Sequence, residues 1–144
     1  MKDDLTFRVI GNLDYIDRKS LDDFPAVISE ISGFFSARNA TSIEFPQLVS
    51  VGRNLYAESV TNIKFPQLSS VGEYFYAGSA TTIECPQLAS VGEFFSAVNA
   101  TNIECPQLQT IEGNVYIDRN NEKIMALAQK WKEDGVLQGK IIEQ

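Results

Sequence analysis

Histidine is missing from the sequence altogether. Its absence removes His-dependent triads, imidazole metal ligands and the imidazole general base together. Basic residues are scarce too: 12 Lys and Arg stand against 19 Asp and Glu, a net charge of −7. No nucleic acid is therefore expected as partner, because phosphate-backbone affinity rests mostly on Lys and Arg. The acidic balance serves solubility. No run of about 18 apolar residues occurs, so no membrane insertion is expected. Met1-Lys2-Asp3-Asp4-Leu5 lacks an apolar signal core. The chain as written reads as cytoplasmic, and a surface or secreted protein trimmed of its leader would read the same. Two cysteines without histidine are too few for a zinc site. No cofactor, metal or catalytic residue is expected.

What remains is enough for one domain: 144 residues, 44% of them hydrophobic. Self-similarity dominates it. Phe45-Pro46-Gln47-Leu48 recurs as Phe65-Pro66-Gln67-Leu68, Cys85-Pro86-Gln87-Leu88 and Cys105-Pro106-Gln107-Leu108, each 20 residues after the last. A degenerate copy, Phe24-Pro25-Ala26-Val27, lies 21 residues before them, and all five prolines fall in this slot. Each copy continues with Val-Gly (Val51-Gly52, Val71-Gly72, Val91-Gly92). Next come Leu55-Tyr56-Ala57, Phe75-Tyr76-Ala77 or Phe95-Ser96-Ala97, and then Thr61-Asn62-Ile63, Thr81-Thr82-Ile83 or Thr101-Asn102-Ile103.

One copy reads directly as structure. Leu55 and Ala57 alternate with polar neighbours, as do Ile63 and Phe65, which is strand periodicity. Pro66 cannot donate a ladder hydrogen bond and biases Phe65 toward extended geometry, so a corner follows. Gly52 permits the second sharp turn. Leu48, Val51, Leu55, Ala57, Val60, Ile63 and Phe65 then point inward. A coil alone is unstable. Each buried apolar side chain contributes about 1.5–3 kcal/mol, whereas ordering the backbone costs about 1–2 kcal/mol per residue. Stacking adds burial on two sides, which is why such units come in arrays. Parallel strands joined by crossovers wind right-handed.

The expected fold is mostly β: a single right-handed solenoid of about five coils over 1–144, closed by a C-terminal capping helix. Residues 1–23 keep a loose version of the pattern and are assigned as N-terminal cap, 24–118 as repeats, and 119–144 as helix and tail. Asn120 or Asn121 can cap the helix, with Glu122 in its first turn. Ile124, Leu127, Ala128 and Trp131 share one helical face, and Gly135 is a stop. This helix is expected as a lid, with a partner-binding helix as the rival reading. Ile141 and Ile142 form either a last strand or a tail beside the lid.

The string Phe-Pro-Gln-Leu-x-Ser-Val-Gly, followed by an alternating strand and Thr-x-Ile across residues 24–118, resembles leucine-rich repeats of the receptor L-domain-like and microbial surface-protein kind. The resemblance implies a right-handed solenoid whose parallel sheet serves recognition or adhesion without catalysis. The secretion signal and disulfide-bonded ends of familiar extracellular members have no counterpart here.

Several residue columns invite a chemical reading. Cys85 and Cys105 replace Phe45 and Phe65, so two buried, reduced thiols are expected. Their parallel Cβ directions suit a disulfide poorly. Asn39, Ser59, Ser79 and Asn99 sit at a turn where short polar side chains bond the local backbone. Asn39 and Asn99 also match glycosylation sequons, which the repeat explains by itself. Thr41, Thr61, Thr81 and Thr101 form a ladder of the kind ice-binding solenoids use, but the residue two beyond each is a core isoleucine. Glu44, Glu84 and Glu104 share a column with Lys64 and read as a solvated face rather than as acid–base groups.

The last column is aromatic. The outward slots beside the Leu55/Ala57 strand hold Phe34, Tyr56, Tyr74, Tyr76, Phe94 and Tyr116. A solvated strand face should be polar, and aromatics at this density mark interfaces. These six are the expected partner-binding residues, flanked by Arg38, Glu58 and Asp118. The competing reading is aromatic stacking that only stabilises the sheet. The expected function is protein recognition or self-association. The alternatives are ice binding and a purely structural repeat domain of a larger surface protein.

Overall fold

Residues 20 positions apart in the chain lie side by side in space. In the computed structural model, which describes residues 6–14, 28–38 and 40–144, Phe75 is paired with Leu55 on one side and Phe95 on the other. The pairing is parallel throughout, and it builds three sheets. The first contains β1 (Phe7–Val9), β3 (Ile28–Ile31), β6 (Ser50–Val51), β9 (Ser70–Val71), β12 (Ser90–Val91) and β15 (Thr110–Ile111). The second contains β2 (Leu13–Asp14), β4 (Phe35–Ser36), β7 (Leu55–Tyr56), β10 (Phe75–Tyr76), β13 (Phe95–Ser96), β16 (Val115–Ile117) and β17 (Ile141–Glu143). The third contains β5 (Ser42–Glu44), β8 (Asn62–Lys64), β11 (Thr82–Glu84) and β14 (Asn102–Glu104). The chain is thus a parallel β-solenoid of about five turns of about 20 residues, with one C-terminal helix, α1 (Glu122–Glu133).

Leu48, Val51, Leu55, Ala57, Val60, Ile63 and Phe65 are all buried, as strand alternation requires. Rings fill the middle: Phe35 meets Phe45 at 4.7 Å, Phe45 meets Phe65 at 6.1 Å, and Phe75 stacks on Phe95 at 4.8 Å. Cys85 and Cys105 continue the Phe45/Phe65 column as buried free thiols. A hydrogen bond with the Cys105 thiol, and after it burial, raise the Cys85 pKa well above its ordinary value.

The glycine column has a different cause from the turn expected of it. Gly52, Gly72 and Gly92 do not take the positive φ that only glycine adopts freely. A Cβ on Gly72 would instead run into the carbonyl oxygen of Gly52, and one on Gly92 into that of Gly72. Glycine is needed because coils touch backbone to backbone.

At the amino end, β1 pairs with β3 and β2 with β4. The rest of the expected cap, residues 1–5 and 15–23, lies outside the described residues, as do the degenerate Phe24-Pro25 copy and Asn39. At the other end Asn121 caps α1, its Oδ1 accepting from the Ile124 amide at 3.1 Å. Ile124, Ala128 and Trp131 are buried against the last coil, and Leu127 is half-buried. Gly135 (φ +79°) ends the turn after the helix. The chain then resumes the coil: Leu137 bridges Ile111, and β17 adds to β16. Ile141 and Ile142 therefore form a last strand. Helix α1 takes the place in this final turn that a strand of the third sheet holds in the others.

Candidate functional site

The outer face of the second sheet carries two side chains per coil, one just before the buried residue and one just after it. Phe34, Tyr56, Tyr74, Tyr76, Phe94 and Tyr116 occupy these slots and are half-buried. All six join one ring network. Phe34 meets Tyr56 edge-on at 5.8 Å, and Tyr56 stacks on Tyr76 at 5.1 Å. Tyr74 lies 4.4 Å from Phe94, which meets Tyr76 at 5.0 Å and Tyr116 at 5.1 Å, both edge-on. Offset and edge geometries suit the ring quadrupoles.

Polar groups fix the margins of this face. The Arg38 guanidinium lies 4.5 Å above the Tyr56 ring centroid and pairs with Glu58 at 3.5 Å. Asn54 Nδ2 donates to the Tyr56 hydroxyl at 2.8 Å. Asp118 turns to the chain itself, accepting from the Asn120 amide ahead of α1. The Tyr76 phenol has a raised pKa, first through burial and then through Tyr56, Tyr74 and Glu58; Arg38 opposes the shift.

Sequence reasoning missed an asparagine role in this sheet. Where the first outward slot is not aromatic it holds Asn12, Asn54 or Asn114. Their Oδ1 atoms accept from the backbone amides of Phe34, Tyr74 and Lys140 in the next coil, at 2.8, 3.1 and 2.8 Å. The recurrence of Asn at that slot was the available signal.

The other columns have structural partners. Thr61, Thr81 and Thr101 donate their hydroxyls to the carbonyls of Thr41, Thr61 and Thr81 at 3.1, 3.3 and 3.1 Å. Asn99 Nδ2 donates to the Gly78 carbonyl at 2.6 Å. Lys64 pairs with Glu44 at 3.9 Å, and Glu84 stands in register between Lys64 and Glu104.

Sequence reasoning also missed a cavity of about 400 Å³ between α1 and the last coil. Ile103, Cys105, Leu108, Leu127, Trp131 and Val136 give it an apolar lining, and Glu104, Lys130 and Asp134 add charge. Helix α1, at 12 residues, is too short to cross a membrane, and no helix among the described residues is long and apolar enough to do so. Comparison of the chain with family models, curated proteins and solved structures gives no match.

Proposed function

We propose that this chain is a non-catalytic recognition module of the leucine-rich-repeat kind, which binds a protein through the aromatic face of its second sheet. The carrying observation is the unbroken ring network from Phe34 to Tyr116, half-exposed on adjacent strands of one sheet. Strand pairing and the asparagine clamps hold the rings in place, so little side-chain entropy is lost when a partner arrives. Tyr and Phe set among Arg and Glu match the composition of interface cores and their rims. A second copy of the chain is the first partner to test.

The threonine ladder favours ice binding less. It is a single column, and its hydroxyls already donate along the stack. The outward carboxylates share their column with Lys64, which supports a solvated face and a non-enzymatic reading.

The test is the double variant Tyr76→Ser, Phe94→Asn. The repeat already places Ser36 and Ser96 at the first of these slots, and Asn54 and Asn114 at the second, so the coil accepts both residues. Light scattering over a concentration series, with photo-crosslinking from position 56, should show association lost while the circular dichroism spectrum is kept. Unchanged association in the folded variant places binding elsewhere. Unfolding of the variant assigns the rings to stability instead.

A further inference from the structure

The third sheet ends openly at β14. In the three preceding coils the amide at the Phe/Cys slot donates to the next coil: Phe45 to Lys64, Phe65 to Glu84, and Cys85 to Glu104 at 3.0 Å. Likewise the carbonyls of Thr41, Thr61 and Thr81 each accept from the threonine amide one coil on. Among the described residues, the Cys105 amide and the Thr101 carbonyl are the first in these columns without a partner. Helix α1 stands where the next strand would lie. It grips one end of β14, with Asn121 Nδ2 on the Ala100 carbonyl and Lys123 Nζ on Asn102 Oδ1, both at 3.2 Å. Toward Cys105 the helix leaves the cavity. Ile103, Cys105 and Leu108 accordingly keep 8%, 7% and 7% of their surface, whereas Ile83, Cys85 and Leu88 one coil earlier keep none.

We propose that this groove receives one extended peptide segment of apolar–basic–apolar pattern, as a parallel strand added to β14. The register dictates the pattern. A guest residue beside Glu104 offers its carbonyl to the Cys105 amide, as Glu104 offers its own to Cys85. Its side chain then points outward beside the Glu104 carboxylate. Neither Glu84 nor Glu104 has an ion pair among the described residues, whereas Glu44 has Lys64. A Lys or Arg at that place sets an opposite charge beside Glu104, which otherwise faces only the like charge of Glu84 in its column. Lys130 across the groove is engaged by Asp134 at 3.6 Å. The guest residues on either side point inward, over Ile103 and Cys105 and toward Trp131 and Val136. The volume is that of a small binding pocket, and strand addition to an open edge is a recurrent peptide-recognition mode. Within this chain, Ile63-Lys64-Phe65 has the required pattern. The site is separate from the aromatic face, so each stands or falls alone.

The experiment uses the full chain and a capped peptide copying Asn62–Gln67, with a second peptide carrying Lys64→Glu. Trp131, the single tryptophan, lines the groove and reports occupancy by fluorescence. Saturable binding is expected, with the lysine peptide tighter by about fivefold, the scale of an exposed cross-strand charge pair. In the Glu104→Lys variant the order should reverse. Amide exchange should slow at Cys105 when peptide is bound and stay unchanged at Cys85. No saturable response, or the same peptide order in both proteins, overturns the proposal. A Trp131 response without protection of the Cys105 amide also overturns it, since the guest would not then be a strand.

Discussion

Tyr56 and Tyr76 stack ring on ring, 5.1 Å apart with planes 13° from parallel, although 20 residues separate them in the chain. The stack places two phenols close together, and Tyr74 and Glu58 add to the same field. Burial first, and then this field, make ionising Tyr76 in the folded protein harder than in the unfolded chain, whose value is near 10.0. The neutral phenol is the form the fold favours. Its stabilising contribution is full below the unfolded pKa and is lost as pH rises through the higher folded value. Ultraviolet titration should show one tyrosine ionising late, and Tyr76→Phe should remove that step. Urea midpoints measured from pH 9 upward should fall less steeply in the variant.

Cys85 and Cys105 should differ in reactivity despite their neighbouring slots. Cys85 keeps no exposed surface and its thiol is held protonated, whereas Cys105 borders the cavity beneath α1. The thiolate is the reactive form. Iodoacetamide labelling followed by peptide mass spectrometry should modify Cys105 first, and Cys85 only on unfolding. Equal rates, or an intact mass two hydrogens below the dithiol, would contradict this placement.

Trp131 closes the apolar end of the stack, 6.3 Å from Phe95 and 6% exposed. Trp131→Ala should cost about 3–5 kcal/mol, a large part of the stability of a domain this size. Removing residues 120–144 should broaden or abolish cooperative unfolding. An unchanged melting curve after that truncation would show that α1 is no lid.

Gly72 and Gly78 make a matched pair six residues apart. A methyl group at Gly72 meets the Gly52 carbonyl, whereas one at Gly78 meets only Ser96 Oγ at 3.8 Å. Gly72→Ala should destabilise by about 1–3 kcal/mol, as overpacking does. Gly78→Ala should stay within about 0.5 kcal/mol of the parent. Denaturant midpoints at equal slope decide the comparison.

Features that repeat within one coil were legible in the sequence. Leu48 through Phe65 and the six outward aromatics follow from strand alternation once the period is seen, and the Ile124/Ala128/Trp131 face follows from helical spacing. Features that belong to the contact between coils were not. The Gly72 collision depends on how closely one backbone lies on the next. The role of Asn54 depends on which amide lies above its side chain. The cavity beside Cys105 exists because α1 diverges from β14, and nothing in a coil's own pattern reports what the following turn fails to fill.

The backbone contact at Gly52, Gly72 and Gly92 makes length a quantised property of this protein. A one-residue insertion between Gly52 and Gly72 puts that coil out of step with its neighbours, sliding Gly72 off the carbonyl it faces or turning buried side chains of the coil to the outside. Inserting a whole 20-residue unit disturbs neither, since residues 60–79 end where their own copy could begin. Such a duplication lengthens the aromatic row by about 4.8 Å, one strand spacing, while the two ends stay as they are. The molecule therefore behaves as a ruler graduated in coils, whose aromatic face lengthens or shortens by whole units.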